Sequence, residues 1–161
     1  MSRSRLKFVL PLVGLGISLS LASAFAAPSQ DSTSRAEWGS PGVASEADRV
    51  VRITATDVAF DVKELDVKAG ETLRFVVTNK GEIVHEFVLA SAADHQAHEQ
   101  EMANMDPSMT MADEPNAVSM KPGETKELVW TFAAAKDIQF ACDIPGHAEQ
   151  GMKGNVDIKG T

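Results

Sequence analysis

From Arg49 onward apolar residues alternate with polar ones, and this period of two constrains the fold more than any other feature. Successive side chains of a strand point to opposite faces, so the alternation suits a half-buried sheet and not a helix. In "RVVRITATDVAF", Val51, Ile53 and Ala55 fall on one side and Arg52 and Thr54 on the other. Leu65 and Val67 alternate with charges, "KAGE" turns the chain, and Leu73, Phe75 and Val77 alternate again. "IVHEFVLA" sets Val84, Glu86 and Val88 opposite Ile83, His85, Phe87 and Leu89. A Pro-Gly turn at 122–123 precedes a strand with Leu128, Trp130 and Phe132 on one face. "KDIQFACDI" and "MKGNVDIKG" complete the pattern. About seven short strands with turn signals between them predict an all-β fold, an antiparallel β-sandwich of Greek-key type. The 161 residues suffice for one such domain, assigned to 49–161.

Two segments break the alternation. Residues 91–115, "SAADHQAHEQEMANMDPSMTMADEP", have weak helical character and no apolar stripe, and are expected to form a long Met/His-rich loop. Residues 27–48 are rich in Ser, Pro, Gly and Ala and read as a flexible linker, ordered only around Trp38. Ahead of them, Arg3, Arg5 and Lys7 precede an apolar run from Phe8 to Leu21, then small residues at Ala24 and Ala26. That layout predicts a secretory signal peptide over 1–26 and a chain without membrane attachment after cleavage. The remainder carries 12 Lys+Arg against 23 Asp+Glu, a net charge of −11. Such a chain repels nucleic acid and anionic lipid, so cations and proteins with basic patches are the expected partners.

The single cysteine sits in "FACDIPGHAEQGM", with His147 five residues after Cys142 and Met152 five after that. A lone cysteine in an exported domain forms no internal disulfide. The three residues admit a metal site, a nucleophile with its base, or an inert thiol beside unrelated residues. If Cys142 is a ligand, His85 at the end of a predicted inner strand can reach the same pole of a sandwich. Two imidazoles and a thiolate with a weak thioether form the donor set of blue-copper electron-transfer sites. Zinc is the second choice, since structural zinc sites favour more thiolates.

Asn79, His85, Phe140, Cys142, Pro145, Gly146, His147, Met152 and Gly154 together resemble the cupredoxin family of plastocyanin- and azurin-like copper proteins. The resemblance spans Arg49 to Lys159. It implies one type 1 copper, with His85, Cys142 and His147 as equatorial ligands and Met152 as the axial one. A binuclear oxidase-type centre is disfavoured, because a second cysteine between Cys142 and His147 is missing.

Five of the seven methionines fall between 102 and 120, just after His95 and His98. Met120 is assigned to the next strand. Thioethers hold Cu(I) without deprotonation, so His95, His98, Met102, Met105, Met109 and Met111 form a candidate second copper site, against the plainer reading of an apolar lid. Exported cupredoxins with such an insertion resemble the CopI-like copper-tolerance group. That implies a periplasmic copper-tolerance protein, not an enzyme, which binds copper ions and passes copper or electrons to a protein partner. The competing expectation is a soluble electron carrier between a cytochrome and a reductase.

Overall fold

A computed structural model describes residues 37–106 and 112–160. The expected signal peptide, residues 27–36 of the expected linker, Met109 and Met111 lie outside the described residues. In chain order the elements are β1 (Gly39–Pro41), a 3-10 turn (Ala44–Glu46), β2 (Arg49–Thr56), β3 (Ala59–Phe60), β4 (Glu64–Lys68), β5 (Thr72–Asn79) and β6 (His85–Ser91). Helix α1 (Ala92–Ala103) follows, then β7 (Ala117–Met120), β8 (Thr125–Phe132), β9 (Ile138–Ala141) and β10 (Lys153–Lys159). Two sheets form, with strand orders β1-β8-β5-β2-β3 and β4-β10-β9-β6-β7.

The expected inner faces are the inner faces. Leu73, Phe75 and Val77 are fully buried, and Val51, Ile53, Leu65, Val67, Leu128, Trp130 and Phe132 join the same core. Phe75, Phe87 and Phe140 meet across the two sheets, with the Phe87 and Phe140 rings stacked at 5.5 Å. Strand direction differs from the expectation. β2 pairs with β5, and β4 with β10, in parallel, so both sheets are mixed. Alternation reports which face is buried and carries no information on direction. β3 and β4, lying in different sheets, lengthen the path from β2 to β5 enough for a parallel crossover.

The stretch expected to be linker is structured from residue 37 on. Trp38 is buried and stacks on Trp130 with ring centroids 4.5 Å apart. β1 then pairs with the edge of β8, Gly39 opposite Phe132. Gly39 has φ +149, and a Cβ there would strike the Trp130 indole, so only glycine lets the backbone pass. A tryptophan needs a buried site, and composition alone does not reveal one.

The expected loop at 91–115 opens as a helix instead. Ser91 caps α1, its hydroxyl oxygen accepting the Asp94 N–H at 3.2 Å. Alanine, glutamine and glutamate carry the turns that follow. The helix packs on β6 and β9, and His95 is its only buried residue. Contacts of His95 with Asp143 and the Gln139 carbonyl take the place of the missing apolar stripe. Six of the seven residues of β6 are buried, the outward-facing Glu86 among them.

Candidate metal centre

His85 opens β6, Cys142 follows β9, His147 lies in the connecting loop, and Met152 immediately precedes β10. The loop braces itself. Cys142 N–H donates to the Met152 carbonyl, Met152 N–H to the His147 carbonyl and His147 N–H to the Ile144 carbonyl, each at 3.0 Å. Gly146 and Gly151, at φ +88 and +100, make the two reversals this requires. On the other side, Asn79 donates to the carbonyls of Ile83 and Met120 at 2.8 and 3.0 Å and accepts from Gly81 N–H at 2.8 Å. The chain entering His85 is thereby fixed to β5 and β7.

These supports bring three donors together. One ligand atom each from His85, Cys142 and His147 lies within 4.8 Å of the others. Cys142 Sγ is 3.3 Å from His147 Nδ1 and 4.0 Å from His85 Nδ1. Metal bonds of about 2.0 Å to nitrogen and 2.3 Å to sulfur in a trigonal plane place such atoms about 3.7 Å apart. Met152 is fully buried with them.

Burial pushes the Cys142 thiol up to about 12, although N–H groups of Glu86 and Ile144 at the sulfur pull the other way. An activated cysteine nucleophile has a lowered pKa and an accessible sulfur. Cys142 has the reverse on both counts, with 0% exposure, which removes the nucleophile reading. Burial also lowers both imidazoles, and in His147 the nearby His85 adds to the effect. The rings are therefore neutral near pH 7, with lone pairs free for a metal. A buried set of two neutral imidazoles, a thiol that must shed its proton, and a thioether fits a soft transition metal.

The sequence profile of the copper binding proteins, plastocyanin/azurin family, matches residues 47–159. This chain is a member of that family. The cupredoxin is 37% identical to the copper-resistant cuproprotein CopI of Pseudomonas aeruginosa over 175 aligned residues, covering 92% of this chain and 94% of that one. It is 47% identical to the protein of the same name from Rubrivivax gelatinosus over 123 residues, covering 76% and 73%. Among solved structures it resembles dithionite-reduced auracyanin from Roseiflexus castenholzii, with TM-score 0.59, 27% identity and coverage of 71% of this chain and 99% of that one. The cofactor of the cupredoxin is copper.

Of the candidate second copper set, His95, His98, Met102 and Met105 lie among the described residues. His95 turns inward, its Nδ1 2.9 Å from both Asp143 oxygens and its Nε2 3.3 Å from the Gln139 carbonyl. Both ring nitrogens face these partners, and His95 clasps α1 to the residue after Cys142. His98 faces buried Glu86, Nε2 to Oε2 3.8 Å. Its pKa is raised, chiefly by Glu86, against the effect of burial. Met102 and Met105 line a cleft of about 480 Å³ together with Ile83, Ile144, Pro145 and His147. Residue patterning missed Glu86 and Asp143, the buried carboxylates next to His85 and Cys142. Their adjacency was visible, but their burial depends on α1.

Proposed function

We propose that this cupredoxin holds one type 1 copper through His85, Cys142, His147 and Met152 and serves copper tolerance in the periplasm. The convergence of the three donor atoms within 4.8 Å carries the site assignment. The tolerance role rests on the likeness to the CopI proteins, named for copper resistance, which extends over 92% of this chain. Copper bound there exchanges one electron between its two oxidation states. The protein supplies a buried donor set braced by the loop's own hydrogen bonds, so little must rearrange when the charge changes. Four protein donors fill the coordination sphere and leave no position for a substrate, which supports a binding protein and not an enzyme. Residues 1–26 act as the export signal and are removed.

Among the described residues of the methionine segment, Met102 and Met105 stand in the cleft beside His147, where they can offer Cu(I) a thioether contact on its way to the site. The same cleft favours a second reading, an electron carrier, because it brings a partner's surface to a ligand imidazole. Titration of residues 27–161 with copper under oxidising and reducing conditions, followed by visible absorption and electron paramagnetic resonance, tests the proposal. One intense thiolate-to-copper band at one equivalent, abolished in Cys142→Ser, is expected. Additional Cu(I) equivalents and copper sensitivity of a deletion strain favour tolerance. A one-to-one count with normal tolerance favours the carrier. A band that survives Cys142→Ser rejects the site.

A further inference from the structure

Asp57 stands in the tight connection between β2 and β3, and its side chain reaches the metal pole. Its Oδ1 lies 3.5 Å from His85 Nε2. The same oxygen accepts the Glu82 N–H at 2.9 Å, in the loop that delivers His85. Two backbone features hold it there. Val58 adopts φ +57, a left-handed conformation that a β-branched residue takes only when its surroundings impose it. Gly81 lies so close that a Cβ there would collide with the Asp57 carboxylate. Lys80 N–H, bonded to the Ala55 carbonyl at 2.7 Å, ties the two segments together.

The His85 ring is 0% exposed, with Nδ1 toward Cys142 Sγ. Its other nitrogen must therefore find an acceptor inside the protein, and Asp57 is the one in reach. His147 differs, since it lines the open cleft.

We propose that Asp57 is a positioning residue for the copper ligand His85. It accepts the Nε2–H, which turns the Nδ1 lone pair to the metal, and its negative charge lowers the reduction potential of the copper. The inference rests on His85 being a ligand. A carboxylate behind a ligating imidazole fixes the tautomer and makes the ring a stronger donor. Both the stronger donor and the nearby charge favour Cu(II) over Cu(I). The Asp57 carboxylate, half exposed to water and accepting the Glu82 N–H, carries its negative charge at neutral pH. The side chain is half exposed, and water screens part of its effect.

Asp57→Asn and Asp57→Ala in the full chain test this with two readouts. One is the reduction potential of the copper-loaded protein. The other is the His85 tautomer in the metal-free protein, read by long-range nitrogen–proton correlation NMR. The expected result is a raised potential in both variants. Asp57→Asn keeps the Nε2–H tautomer because its amide oxygen still accepts, whereas Asp57→Ala loses the single tautomer. An unchanged potential in Asp57→Asn overturns the proposal, even if melting temperature falls, because Asp57 would then only brace Glu82. An unchanged tautomer in Asp57→Ala overturns it equally. Should Asp57→Ala not fold, the potential of Asp57→Asn decides. A wild-type protein without the thiolate-to-copper band would remove the ligand assignment, and this inference with it. A band present with indifferent variants removes the inference alone.

Discussion

Cys142 shows how one residue's environment sets its chemistry. Burial raises its pKa from 9.0 to about 12 in the metal-free protein. Iodoacetamide at pH 8 should therefore modify it far more slowly in the folded protein than in urea. Equal rates would mean that the sulfur is open to solvent. The folded thiol holds its proton where the unfolded one has lost it. Its contribution to stability is thus complete below pH 9 and disappears as pH rises toward 12. The urea midpoint of the metal-free protein should fall across that window more steeply than that of Cys142→Ser. Copper must displace this proton, so loading should acidify an unbuffered solution. At the axial position, Met152→Leu should keep the coloured site and raise its potential. A colourless, copper-free variant would make Met152 an indispensable ligand.

At the scale of elements, α1 is the part whose role differs most from its composition. The histidines that suggest a metal sequence face two carboxylates, each next to a proposed ligand. His95 meets Asp143 at 2.9 Å, with both side chains buried. Removing one partner of a buried pair leaves a desolvated charge and typically costs about 3 kcal/mol or more. His95→Ala should lower stability to urea by about that amount and expose the α1 amides to hydrogen exchange. Unchanged protection in α1 would show that other contacts hold the helix. β10 is constrained differently. A Cβ at Gly154 would run into the Phe140 ring, which explains the glycine two residues after Met152.

Over the whole molecule, the sandwich extends beyond its alternating strands. Trp38 belongs to a segment without strand periodicity, yet it covers Trp130 at the edge of the core. Trp38→Ala should cost about 3 kcal/mol or more by leaving a cavity over that ring. A denaturation midpoint like that of the wild type would mean the stack adds nothing to the core. The site, by contrast, is assembled from segments far apart in the chain. His85 and Cys142 are separated by 57 residues, and adjacent strands β6 and β9 bring them together.

What the sequence determined by itself was local. Period-two alternation chose the buried face of β2, β5 and β8, because a strand cannot turn a side chain without shifting register. The Cys142, His147 and Met152 spacing placed three donors in one loop, and glycines at 146 and 151 allowed it to close. Tertiary structure alone decided the parallel pairings, the burial of Glu86 and Asp143 under α1, the inward turn of His95, and the approach of Asp57 to His85. Each depends on what another segment places opposite. Pattern along a chain records how a residue sits on its own element, whereas burial and charge environment are set by the element that covers it.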